Sequence, residues 1–124
     1  MMIPKRILIA DDSDAVRRAL HSCLRRVKFE VCGEAVDGEE AIEKARQLKP
    51  DLVLLDVAMP RTNGIVAASV LKHMMPNVRI VLFTLYSEAI AKTFSRQEYA
   101  FDAVVAKADG MARLTECVQD LLYT

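Results

Sequence analysis

The chain has 124 residues and a mass of 13.9 kDa, enough for one hydrophobic core and too little for two well-packed ones. Hydrophobic residues make up 52% and charged residues 27%, a globular mixture that excludes an intrinsically disordered chain. Seventeen Lys and Arg offset 17 Asp and Glu to a formal net charge of zero, so no long-range field draws this segment to nucleic acid or an anionic membrane, and direct contact with either is not expected.

The elements alternate along the chain. A short apolar run at 7–10 predicts the first strand, and Ser13 is the N-cap candidate of a helix whose Val16, Ala19, Leu20, Cys23, Leu24 and Val27 recur at helical spacing. Residues 29–35 interleave Glu30 and Glu34 with Val31, Cys32 and Ala35, the pattern of a strand with one edge or face in water. Asp37 then caps a second helix with Glu40 reaching back, and Ala41, Ile42, Ala45 and Leu48 form its buried side until Lys49-Pro50 ends it. Apolar runs at 52–55, 78–83 and 103–106 predict further strands of a parallel sheet covered on both faces, the small residues of the last placing it at a sheet edge, with helices over 64–75, 87–99 and 111–123 between and after them. The third helix carries Val66, Ala67, Val70 and Met74 beside Ile65, Ala68 and Leu71, so burial on most sides is expected, with a partner-binding stripe as the alternative.

Strand and helix in strict alternation indicate an α/β domain with a doubly wound open sheet. No apolar run is long enough to span a bilayer, and the stretch after Lys5-Arg6 is too short for a signal peptide, so a cytoplasmic location is expected. Cys23, Cys32 and Cys117 lack metal-ligand spacing and read as reduced thiols within apolar patterns. His21 and His73 have no partner ligand one turn away and read as surface residues.

In open α/β sheets the ligand site lies beyond the carboxyl ends of the strands. Here those ends carry Asp11-Asp12, Asp56, Thr84 and Lys107. Several carboxylates on one rim repel one another unless a cation or a proton joins them, and an all-oxygen set favours Mg²⁺, with no EF-hand pattern to suggest a calcium cage. Carboxylate, hydroxyl and ammonium together suit phosphoryl transfer, with Asp56 as candidate nucleophile forming an acyl phosphate. Pro60 fixes φ in the loop after Asp56, and Asn63-Gly64 is a turn and helix-start signal.

The segment 7–13 (ILIADDS), the block 50–64 (PDLVLLDVAMPRTNG), Thr84 and Lys107 together resemble the receiver domain of bacterial two-component response regulators. The resemblance covers nearly the whole chain and implies one receiver domain over residues 1–124 with a flavodoxin-like (βα)5 fold, strand order 2-1-3-4-5. It further implies that Asp56 accepts a phosphoryl group from a sensor histidine kinase. Asp11, Asp12, Asp56 and the backbone carbonyl of Ala58 would hold Mg²⁺, Lys107 would pair with the phosphoryl oxygens, and Thr84 would move to hydrogen-bond them. Such a protein is a signalling switch whose only catalysis is its own phosphorylation and dephosphorylation. Residues 32–49 are similar to those of receivers that precede helix-turn-helix output domains, which implies transcription regulation through an output partner or domain.

Where the family commonly has an aromatic residue in its fifth strand stands Val104. Tyr86, two residues after Thr84, is the candidate to gate the site in its place, with packing on the adjacent helix as the alternative. The face formed by the fourth helix, fifth strand and fifth helix is the candidate homodimer surface. A rival reading is a haloacid-dehalogenase-like phosphohydrolase with Asp12 as nucleophile, because residues 12–16 fit that family's D-x-D-x-[TV] opening. It leaves the D-x-x-M-P-x-x-N-G block unexplained, and for the further acidic pair that family needs after its Lys only Asp109 and Asp120 follow Lys107, the latter within an amphipathic helix.

Overall fold

The computed structural model of the chain describes residues 3–93 and 100–123. Five strands alternate with five helices: β1 (Arg6–Ala10), α1 (Asp14–Arg26), β2 (Glu30–Ala35), α2 (Gly38–Leu48), β3 (Leu52–Leu55), α3 (Gly64–Met74), β4 (Arg79–Thr84), α4 (Ser87–Thr93), β5 (Ala103–Ala106) and α5 (Gly110–Tyr123), with a 3-10 turn at Lys107–Asp109 before α5. The sheet is parallel throughout, in the order β2-β1-β3-β4-β5. This is the flavodoxin-like arrangement that the resemblance implied. The half-polar strand β2 lies at one edge, as its alternating pattern predicts. The continuation of α4 expected to residue 99 lies outside the described residues.

Side-chain alternation along the strands divides the core in two. Ile7, Ile9, Leu52, Leu54, Val81, Phe83 and Val105 face Leu20 and Leu24 of α1 and Leu114 and Val118 of α5. Leu8, Ala10, Val53, Leu55, Ile80 and Leu82 face Ala41 and Ala45 of α2, Ala67, Ala68 and Leu71 of α3, and Ile90 of α4. Both faces are therefore covered, which is why the inner strands are apolar on successive residues. Each fully buried Leu or Ile contributes about 2 kcal/mol relative to exposure, so the two layers fix the strands' register. Ala10 pairs with Leu55, Leu55 with Leu82, and Thr84 with Ala106, which brings the carboxyl ends of four strands onto one rim.

Tight strand-to-helix turns keep that rim short. The Ser13 hydroxyl accepts from the Val16 N–H, Asp37 from Glu40, and Asn63 from Val66, each satisfying an orphan donor of a helix start. Glu40 reaches back as the capping pattern predicts, although its carboxylate accepts from the Val36 N–H. Cys32 sits on β2 with its thiol donating to the Ile7 carbonyl, and burial pushes that thiol's pKa up, so it stays protonated and inert.

The expectation that α3 is buried on most sides is corrected. Val66, Val70 and Met74 are exposed, because the small Ala67 and Ala68 bring only one side of the helix onto the sheet.

Two glycines permit close backbone approaches. A Cβ on Gly38 would lie 1.8 Å from the Thr62 carbonyl oxygen, and one on Gly64 would lie 2.2 Å from the Asp56 carbonyl oxygen. The β3–α3 loop is thereby pressed against the start of α2. Gly38→Ala is expected to cost about 1–3 kcal/mol by overpacking, since backbone cannot yield cheaply. Gly33→Ala should cost markedly less, because its Cβ would meet only the far ends of the Leu48 and Leu8 side chains. Urea unfolding of the two variants makes the comparison; equal losses would contradict the contact.

Candidate functional site

Asp11 follows the last residue of β1 and is buried, with its N–H donating 3.0 Å to the Ala35 carbonyl. Asp56 follows β3 and is buried as well, with its N–H 3.0 Å from the Ala10 carbonyl. Main-chain bonds to neighbouring strands thus hold both carboxylates at the same height. Asp12 is exposed, and one ligand oxygen from each of Asp11, Asp12 and Asp56 lies within 4.8 Å of the others. They line a cavity of about 450 Å³ together with Ser13, Val16, Ala58, Leu85, Tyr86 and Lys107.

Lys107 opens the 3-10 turn after β5 and reaches across the end of β4. Its Nζ lies 2.8 Å from Asp11 Oδ2 and 3.0 Å from Asp56 Oδ2. The remaining carboxylate oxygens are also used: Asp11 Oδ1 accepts from the Ser13 N–H at 2.9 Å, and Asp56 Oδ1 from the Ala58 N–H at 3.3 Å. Burial pulls the Lys107 pKa down, but hydrogen bonds and charge from Asp11 and Asp56 outweigh it and hold the ammonium above the ordinary lysine range. One ammonium facing three carboxylates leaves the cluster anionic. A hard divalent cation fits this all-oxygen donor set, because Mg²⁺ takes oxygen ligands, retains several waters and commonly uses one or two carboxylates.

The sequence-predicted residues divide into two groups. Asp11, Asp12, Asp56, Ala58, Tyr86 and Lys107 line one cavity. Thr84 does not line it. Its fully buried side chain accepts from the Tyr86 N–H at 3.1 Å and borders an adjoining cavity of about 650 Å³ with Leu85, Tyr86, Ser87, Ala106 and Ala108. Tyr86 borders both spaces and is 55% exposed, so it is not packed away against α4. Val104 is half-buried on β5 and packs on the α4 side of the sheet.

Two supporting arginines escaped the sequence reading. Arg61, at φ 64° in the loop after Asp56, reaches Glu39 at 2.9 Å and Asp37 at 3.7 Å, tying that loop to α2. Arg17 of α1 donates to the Asp11 carbonyl. Neither has a local signal, because both act across turns that only the fold brings together.

Lys107→Met should destabilise the protein by leaving two buried carboxylates without their shared cation. The folded-state pKa of Lys107 is raised, so its contribution is fully present below the ordinary lysine value and is lost as pH climbs through the folded one. Denaturation of wild type and variant at stepped pH should give a constant gap up to about pH 10 that narrows above it. A gap independent of pH across the alkaline range would contradict the bridge.

A family model described as the response regulator receiver domain matches residues 7–119. The transcriptional regulatory protein PdtaR of Mycobacterium tuberculosis is 47% identical over 88 residues, which cover 69% of this chain and 42% of that protein. An uncharacterised transcriptional regulatory protein, YxjL of Bacillus subtilis, is 39% identical over 106 residues, covering 85% of this chain and 45% of its own length. The chain thus spans less than half the length of these curated relatives. Among solved structures, response regulator protein TrrA from Thermotoga maritima in complex with Mg²⁺ and BeF superposes with a TM-score of 0.86 at 34% identity, covering 95% of this chain and 99% of that one. The phosphohydrolase alternative is not supported: the matched family is different, and Lys107 pairs with Asp56 and Asp11 while Asp12 makes no ion pair among the described residues. Sequence match and fold agree over nearly the whole length, and the chain belongs to the response regulator receiver domain family, whose members act as phosphorylation-activated signalling switches.

Proposed function

We propose that Asp56 of this chain is the phosphoacceptor, taking its phosphoryl group from the phosphohistidine of a sensor histidine kinase and relaying the change to an output partner or domain. The observation that carries this reading is the Lys107 ammonium bridging buried Asp56 and Asp11 beside Asp12 in an open cavity. Asp11, Asp12 and Asp56 side chains and the Ala58 backbone carbonyl would hold Mg²⁺. When bound, Mg²⁺ supplies neutralisation of the charge on the transferring phosphoryl oxygens.

In the transfer an Asp56 carboxylate oxygen bonds to phosphorus as the donor's P–N bond breaks, and the electron pair leaves with the imidazole nitrogen, which takes up a proton. The product is an acyl phosphate on Asp56. Lys107 already contacts the acceptor carboxylate at 3.0 Å and follows the new anionic oxygens with a small movement. Thr84 holds the Tyr86 N–H with its oxygen, so its own hydroxyl proton is the one to offer the phosphoryl group when the side chain turns.

That turn gives the switch its route outward. The Tyr86 carbonyl accepts from the Ile90 N–H at the start of α4, and Ile90 is buried in the core. Releasing the Tyr86 peptide therefore loosens the first turn of α4, and Tyr86 moves at the rim where Val104 offers no aromatic ring. The altered α4, β5 and α5 face is the surface for homodimer formation or output binding, with β5 at the free edge of the sheet.

Incubation with acetyl phosphate and Mg²⁺ should add the mass of one phosphoryl group to wild type and none to Asp56→Asn, read by intact mass; an unchanged pattern in the variant would overturn the assignment. Mg²⁺ alone should raise the wild-type melting temperature, and Asp12→Asn should weaken that rise.

The lifetime of the acyl phosphate depends on how a hydrolytic water is held. Ala58 offers it a methyl group and Tyr86 adds bulk at the rim. The phosphorylated state is accordingly expected to be long-lived, and Ala58→Asn with Tyr86→Glu should shorten it. Decay followed by mass in excess Mg²⁺ makes the comparison, and equal rates would remove these residues from control of the lifetime.

A further inference from the structure

Arg17 lies in the first turns of α1, and its side chain is only 12% exposed. The guanidinium fork engages three partners. Nη1 donates 2.6 Å to the Asp11 carbonyl oxygen, Nε donates 3.1 Å to Glu34 Oε1 on edge strand β2, and Nη2 pairs with the Asp14 carboxylate. The Asp11 carbonyl belongs to the peptide joining Asp11 to Asp12. The other side of Asp11 is fixed by its N–H bond to Ala35.

Asp12 is different in kind from its two neighbours. It is exposed, and its carboxylate makes no hydrogen bond or ion pair among the described residues, yet it presents an oxygen within 4.8 Å of those of Asp11 and Asp56. Two like charges repel it from that position. Its aim therefore depends on the backbone from which it leaves, and the plane of the Asp11–Asp12 peptide is set by the bond from Arg17.

We propose that Arg17 is a positioning residue for the divalent-cation site, holding the Asp11–Asp12 peptide through the Asp11 carbonyl, with Glu34 as its anchor on β2, so that Asp12 points at Asp56. The proposal rests on the reading that these carboxylates take Mg²⁺. Lysine cannot replace the arginine, because a single ammonium lacks the planar fork that meets a carbonyl and two carboxylates in different directions. Partners that orient a metal's ligands commonly change affinity by about tenfold or more when removed.

The sign of the effect separates positioning from simple electrostatics. Removing a cation beside an anionic site should tighten Mg²⁺ binding if charge alone matters. Loss of aim should weaken it. Calorimetric titration with Mg²⁺ is therefore run on wild type, Arg17→Met and Arg17→Lys, with circular dichroism and melting temperature to establish that each is folded at the titration temperature. The expected result is affinity weakened by about tenfold in both variants. With acetyl phosphate, the Mg²⁺ concentration for half-maximal phosphorylation should rise by the same factor while the rate at saturating Mg²⁺ stays near wild type.

A role confined to fold stability would lower the melting temperature and leave Mg²⁺ affinity unchanged, and that result overturns the proposal. Tighter binding in Arg17→Met, or wild-type affinity in Arg17→Lys, overturns it too. A wild type that binds no Mg²⁺ fails the functional reading itself, and the proposal with it.

Discussion

The rest of the structure is arranged around a repulsion. Two buried carboxylates, Asp11 and Asp56, and a third at the surface, Asp12, are held together at the ends of adjacent strands with the Lys107 ammonium to offset them. Such a cluster costs free energy wherever it is desolvated. It persists because the backbone beneath it is not free to open: β1 and β3 are paired along their length, and their side chains are locked between two helical layers. The core supplies the stability, and the rim converts part of it into a site with a standing demand for positive charge.

That demand accounts for how the loops are built. The turn after β1 is pinned by Ser13 and Arg17, and the loop after β3 by Arg61, by the Gly38–Thr62 approach and by the Gly64–Asp56 approach. These contacts hold each carboxylate-bearing loop in place, against itself and against the helices beside it. Loops left to relax would let the charges separate into water, so their restraint is a condition of the site. The αL conformation of Arg61 is a local cost accepted in the same place.

The rim was legible in the sequence because parallel strands covered on both faces read as short apolar runs, and the first polar residues after them mark the carboxyl ends. Asp11, Asp12, Asp56 and Lys107 are all found this way. Orientation was not legible. Thr84 stands at the end of β4 as its position implies, yet its hydroxyl is engaged with the Tyr86 N–H and borders the adjoining cavity, a choice between rotamers that no spacing records. Arg17 looked like one polar residue of an amphipathic helix, since its partner Glu34 is 17 residues away and meets it only when β2 folds beside α1. The exposure of Val66, Val70 and Met74 was hidden for a related reason: apolar periodicity tells which residues can be buried, and the number of layers decides which are.

The engaged Thr84 hydroxyl bears on how a small charge change at Asp56 could move a helix. A buried hydroxyl without a partner would be costly, so a resting state that left Thr84 free would already be biased toward the phosphorylated arrangement. In this chain the Thr84 oxygen accepts from the Tyr86 N–H at rest, which gives the side chain a partner without using its hydroxyl proton. On the proposed function, a turn toward a phosphoryl group on Asp56 would give up the bond from the Tyr86 N–H and gain a charge-assisted one, and the difference between the two would bias the switch. The open space lined by Ala106 and Ala108 then matters more than any added contact, because it gives the β4–α4 loop and Tyr86 somewhere to go without repacking the core beneath them.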